Sequence, residues 1–170
     1  MSIDTRLAVS DPDSDADTRW LDDDEQRAWR SFVTGVTALF DRLDRELREG
    51  HGVSAPEYEV MVRLSEAPGH ELRMAELASS VSHSRSRTTH TIARMERAGI
   101  VGRRACPSDG RGVMAVLTDE GYRLLQGAAH THVQGVRRHL VDVADPADFQ
   151  AMGRVFDAVK ASGTLERYDA

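Results

Sequence analysis

Apolar residues recur at steps of three and four from Trp29 through Phe32, Val33, Val36, Phe40, Leu43 and Leu47. That spacing lays them along one stripe and predicts a long amphipathic helix over about 22–49, stopped by "EGHG". Asp22, Asp23, Asp24 and Glu25 fall at its start, where carboxylates suit the positive end of the helix dipole. Ser54 as N-cap and Pro56 in the first turn then open a second helix of about three turns, with Tyr58, Met61, Val62 and Leu64 as its apolar positions. "ELRM" reads as a short strand and "MAELASSV" as a short helix over about 74–80. The next stretch, "SHSRSRTTHTIARMERAG", predicts a helix that Gly99 ends from the C′ position. "IVGRRAC" and "VMAVLT" read as two strands joined by the six residues "PSDGRG". Thr118 caps a helix expected over about 119–142, with Leu124, Leu125, Ala128, Val133, Val136 and Leu140 as its stripe. A last amphipathic helix carries Phe149, Met152, Val155, Phe156 and Val159.

Helix, helix, helix and two-stranded hairpin, in that order, spell a winged helix-turn-helix. The expected fold class is mainly α with a small β-hairpin wing (α+β), flanked by N- and C-terminal dimerisation helices. Residues 1–18, acidic and short of large apolar groups, read as a disordered tail. The expected division is an N-terminal dimerisation helix over 19–53, the winged helix-turn-helix module over 54–118 and C-terminal dimerisation helices over 119–170. The flanking helices carry more apolar surface than a small winged domain needs for itself, and a second copy would bury it.

Charge sharpens this picture. The 170-residue chain is formally −6, but residues 1–25 hold nine acids against two arginines, leaving +1 for the rest. Residues 85–111 hold seven arginines against Glu96 and Asp109. The basic patch is therefore local, and local fields govern association with polyanions. The single cysteine, Cys106, excludes an internal disulfide and any Cys-pair zinc motif. With no apolar run of membrane length and no secretory signal, a cytoplasmic protein without a membrane partner is expected. There is no Gly-rich phosphate loop, GxSxG or HExxH. Glu57, Glu59 and Asp22–Asp24 read as charge runs at helix starts, so neither a catalytic residue nor a cofactor is expected.

With Ser84 as N-cap, Thr88, Thr91, Ile92 and Met95 fall at i, i+3, i+4 and i+7 and face the core. The other face presents Ser86, Arg87, Thr89, His90, Arg94 and Arg97, with Arg85 at the N-terminal edge. A helix fits the DNA major groove, arginine donates in a fork to guanine, and Ser, Thr and His supply shorter donors. Arg111, between two glycines, sits on a thin tip suited to the minor groove. Asp109 would meet phosphate badly and reads as a brace for the wing.

"ELASSVSHSRSRTTHTIARMERAGIVGRR" followed by "SDGRGVMAVLTDEG" resembles the core of the MarR family of bacterial transcription regulators. The pattern is carried by Glu96, Gly99, Ile100, Val101, Asp109, Arg111, Leu117, Thr118 and Gly121, and the likeness extends over about residues 25–160. Where many members have valine before the serine, this chain has His83.

The resemblance implies a homodimeric repressor with interdigitated terminal helices, bound to a palindromic operator in double-stranded DNA and released by a small-molecule effector. It implies DNA contacts from Ser84, Arg85, Ser86, Arg87 and His90, a phosphate contact from Arg94 and a wing contact from Arg111. Trp29, His51, Tyr58 and Arg63 would line an effector cleft. No metal site is expected. A zinc-responsive regulator using His51, His132 and His139 is the alternative on the same fold; His130 and His132 point to nearly opposite sides of a helix. A winged protein-interaction module that lost DNA is a further rival. Cys106 reads as a passive strand residue.

Overall fold

The computed structural model describes residues 18–81, 85–106 and 109–163. The chain divides into two compact units between Thr37 and Ala38, each described by itself below. The expected acidic tail, through residue 17, lies outside the described residues.

Helix α1 runs Asp23–His51, so His51 belongs to the helix rather than to the loop after it. Its first turn is capped by Asp22, whose Oδ1 accepts the N–H groups of Asp24 and Glu25 at 2.9 and 2.8 Å. In the first unit Trp29 and Phe32 stack with ring centroids 5.7 Å apart, and both stay exposed. The rest of α1 belongs to the second unit, where Leu43 and Leu47 are buried.

Helix α2 (Ala55–Glu66) opens at Ser54 with Pro56 in its first turn, as expected. A 3₁₀ turn (Pro68–His70), strand β1 (Glu71–Arg73) and helix α3 (Met74–Ser80) follow. Helix α4 spans Arg85–Arg97. It ends in a Schellman motif: the Ile100 N–H donates to Met95 O and the Gly99 N–H to Glu96 O, both at 3.0 Å. Gly99 takes φ 73°, a conformation L side chains resist.

Strands β2 (Val101–Cys106) and β3 (Asp109–Leu117) form the hairpin, and β1 joins the other edge of β3 to make a three-stranded antiparallel sheet in the order β1-β3-β2. The hairpin departs from expectation. Ala105 pairs with Val113 but Cys106 pairs with Asp109, so three extra residues, 110–112, lie on β3. Such a bulge keeps the strand going past an irregular stretch. "DGRG" is therefore the start of β3, and only residues 107–108, outside the described set, separate the strands.

Helix α5 (Asp119–Val136) starts at Thr118, whose Oγ1 accepts the Gly121 N–H at 3.0 Å. The Thr118 hydroxyl itself donates to Gly99 O and Ile100 O at 2.7 and 3.0 Å, tying α5 to the end of α4. Gly121 is required there, since a Cβ would lie 2.2 Å from Ile100 O. The helix does not continue regularly to 142. Arg137–Val141 forms one π turn, closed by the Asp142 N–H donating to Arg137 O. From this turn both Arg138 and His139 reach Glu46 of α1, at 3.6 and 2.8 Å. The last helix, α6, is Pro146–Ala161 with Asp145 as its cap.

One apolar core serves the module. It joins Leu47 of α1, Val60, Met61 and Leu64 of α2, Leu77 of α3, Ile92 and Met95 of α4, Ala115 and Leu117 of β3, and Leu125 and Ala128 of α5. Val133, on the expected apolar stripe of α5, is 56% exposed, and Val155, Phe156 and Val159 on α6 are exposed as well.

Candidate nucleic-acid interface

The core fixes which way α4 faces. Thr88, Thr91, Ile92 and Met95 are buried, as their spacing predicts, so one side of the helix is sealed against α2 and α3. The opposite side carries Ser86, Arg87, Thr89, His90, Arg94 and Arg97, all exposed. Arg87, His90, Arg94 and Arg97 succeed one another at steps of three and four, which makes a single continuous stripe. Ser84 lies outside the described residues. Arg85, Asp109 and Arg111 have described backbone, in α4 and β3, but their side chains lie outside the description.

The seven arginines of the basic segment do not act alike. Arg94, Arg103 and Arg104 pair with carboxylates of the same chain. Arg94 Nε donates to Glu57 Oε1 at 2.7 Å and its Nη2 to Ser54 Oγ at 3.2 Å. Arg103 Nε lies 3.3 Å from Glu96 Oε2, joining β2 to α4. Arg104 Nε donates to Glu71 Oε2 at 2.7 Å, and its Nη2 pairs with Glu71 Oε1, so the guanidinium forks onto the carboxylate across β3. Arg97 turns its Nε back to Ala93 O at 3.2 Å. These ion pairs link β2 to α4, α4 to α2 and β2 to β1, and they offset part of the local positive charge.

Glu57 corrects the sequence reading. It is not a solvated charge at a helix start but a carboxylate only 7% exposed. Its Oε2 accepts the Ser54 N–H at 2.8 Å and the Ser54 hydroxyl at 2.7 Å, which completes a capping box. Burial alone would raise its pKa, but the bonds from Ser54 and Arg94 outweigh that and hold the carboxyl below its ordinary value. Arg94, expected to meet phosphate, is correspondingly turned toward α2. The capping-box spacing Ser-x-x-Glu was visible at Ser54–Glu57; the partner thirty-seven residues away was not.

Of the residues expected around an effector, His51 and Tyr58 come together and Arg63 turns elsewhere. His51 Nε2 shares a 2.7 Å hydrogen bond with Thr131 Oγ1, and the Tyr58 ring lies 4.7 Å from that of His132, so both meet consecutive residues of α5. Gly127 packs beside the His51 ring, where an added Cβ would lie 3.4 Å from it. His132 Nδ1 is buried with no hydrogen-bond partner, and burial lowers the imidazole pKa while raising that of the Tyr58 phenol. Arg63 pairs instead with Glu66 on its own helix at 3.5 Å. Trp29 belongs to the first unit.

His139 Nε2 donates to Glu46 Oε1, which also takes Arg42 at 3.1 Å. The histidines proposed for zinc therefore have separate protein partners. Among the described residues, no group of three or more His, Cys, Asp or Glu is placed to hold a metal ion. Cys106 is buried at the end of β2. Among the described residues, no helix is long and apolar enough to cross a membrane.

The MarR family model matches residues 53–113, which begin just before α2 and end in β3. Sco3205 of Streptomyces coelicolor, a MarR family transcriptional regulator solved in complex with DNA, is 42% identical. The match covers 90% of this chain and 95% of that one, with a TM-score of 0.82. The chain belongs to the MarR family of transcriptional regulators. AbsC, another member from Streptomyces coelicolor, is 39% identical over 85% of this chain and 97% of its own, with a TM-score of 0.80. PecS, an HTH-type transcriptional regulator of Dickeya dadantii (strain 3937), is 28% identical over 107 residues; the match covers 62% of this chain and 64% of PecS. The winged helix-turn-helix reading, the mainly α fold class and the family resemblance all hold for this MarR-family chain. Its family and fold are those of transcription regulators, not of enzymes.

Proposed function

We propose that this MarR-family regulator is a homodimeric repressor that reads a palindromic operator with α4 in the major groove and the start of β3 in the adjacent minor groove. The observation that carries the reading is the α4 stripe, polar and cationic on one side and sealed into the core on the other. The likeness to Sco3205, solved with DNA, supports it. Ser84, Arg85, Ser86, Arg87, Thr89 and His90 are the proposed contacts of α4, and Arg111 that of the wing, with Asp109 as its brace. Exposed apolar residues supply the pairing surface: Phe40 on α1, and Val155, Phe156 and Val159 on α6. Two half-sites about 10 bp apart match a two-fold pair of recognition helices.

Release by a small effector completes the reading. Tyr58 and His132, with His51 and Thr131, combine aromatic walls with polar groups, the usual composition of a small-ligand site. The unpartnered His132 Nδ1 suits a ligand hydroxyl or carboxyl. A cytoplasmic location follows from a DNA target.

Substitution tests the groove assignments. Arg87→Ala should change which bases are preferred, whereas Arg111→Ala should weaken binding to many sequences alike, measured by quantitative gel shift on a duplex panel. Affinity should fall steeply with salt, in proportion to the phosphates neutralised. Indifference of binding to both substitutions would refute the assigned surface.

A further inference from the structure

At the N-terminus of α2, charged side chains from three helices converge. Asp44 of α1 accepts the Ala55 N–H at 2.7 Å and Arg48 Nε at 2.6 Å. Glu57 caps Ser54, and Arg94 of α4 reaches both Glu57 and the Ser54 hydroxyl. Glu57 and Ser54 are buried, while the Arg94 side chain is 52% exposed. A buried carboxylate is costly to leave without its partner, so the guanidinium is held strongly on this site. Two prongs on two acceptors also fix its direction, which a single charge would not.

Arg94 sits one turn from His90 and from Arg97, on the same stripe that faces outward. Its tether therefore ties the outward stripe of α4 to the N-terminus of α2. The buried Thr88, Thr91, Ile92 and Met95 fix the inward face by packing, and the two-pronged bond of Arg94 adds a directional constraint on the outward side.

We infer that Glu57 and Arg94 form a positioning pair that sets the roll of α4, and that Arg94 is not a phosphate contact. The inference rests on the DNA-binding reading above. Through Asp44 and Arg48, α1 ends at the same junction, so the pair also joins the recognition helix to the C-terminal half of α1.

The two roles leave different signatures. A phosphate contact contributes to every sequence and to the salt slope; a positioning pair contributes to the chosen sequence and not to the slope. The probes are a duplex selected from a random pool and a scrambled duplex of equal length. Each is titrated with wild type, E57Q, R94Q, R94K and the E57Q/R94Q double variant, below the melting temperature of every protein. The expected result is a loss of about tenfold on the selected duplex for E57Q and for R94Q, with the double variant no worse, because the two share one interaction. R94K should lose nearly as much, since lysine keeps the charge but not the fork. Binding to the scrambled duplex and the salt slope should stay as in wild type.

The inference is overturned if R94K binds like wild type, if R94Q lowers the salt slope by about one, if the two single losses add, or if the variants melt lower yet bind the selected duplex unchanged. Failure of wild type to bind any duplex would sink the DNA reading itself; binding with any of those four results would sink only the pair.

Discussion

The winged module and the flanking helices carry the same kind of apolar periodicity and put it to opposite uses. In the module, Met61 and Leu64 of α2, Leu77 of α3, and Ile92 and Met95 of α4 are fully buried. On α1, Phe40 stays 60% exposed, and on α6 Val155 stays 59% exposed. A stripe at helical spacing thus reports that a face will be covered, without saying by what. The module covers its own faces, whereas Phe40 and Val155 stay exposed on the flanking helices, where the proposed function puts a second copy.

Truncation inside the module should have the largest effect. Met95→Ala or Leu64→Ala removes a buried side chain and should cost about 2–5 kcal/mol, seen as a lower thermal midpoint. The corresponding Phe40→Ala should barely change the melt of dilute protein. A comparable loss at Phe40 under those conditions would erase the contrast.

Gly121→Ala should come next. Its Cβ would press on Ile100 O and on a Leu117 methyl 2.8 Å away, both in the frame that joins α4, β3 and α5. Overpacking of this kind costs about 1–3 kcal/mol. Gly153→Ala on α6, where nothing lies within 4 Å of the added carbon, should leave the midpoint unchanged or raise it slightly.

Much of this was legible in the sequence. The apolar steps located α1, α4, α5 and α6, Gly99 marked the end of α4 and Thr118 the start of α5, and the inward set of α4 followed from spacing alone. Three features were not legible, each because it depends on residues distant in the chain. The Glu57–Arg94 link needs α2 and α4 packed together. The π turn at Arg137–Val141 accompanies contacts with Glu46 on α1. The exposure of Val133 depends on what covers α5, which its own periodicity does not contain.

Pairing should respond to the flanking face and not to the module. Phe40→Glu, or Val155→Glu together with Val159→Glu, should shift the protein toward single chains in sedimentation while leaving its helical spectrum intact. Arg87→Ala should leave the sedimentation of free protein as in wild type.

The smallest expected effect is one of pH. Burial holds the His132 imidazole below its ordinary value near 6.5. The stability contributed by its neutral form is therefore fully present above that value and is lost as pH falls through the lowered one. His132→Phe keeps a ring against Tyr58 and removes the titration, so the melting midpoint should fall less between pH 7 and 5 than in wild type. Equal pH slopes for the two proteins would show that His132 titrates freely.

The central claim is that paired copies present two α4 stripes to one duplex. It is tested most directly by selecting bound DNA from a random pool and weighing the resulting complex by sedimentation. The account predicts a palindrome with half-sites about 10 bp apart, bound by two chains. A single unrepeated site occupied by one chain would contradict it.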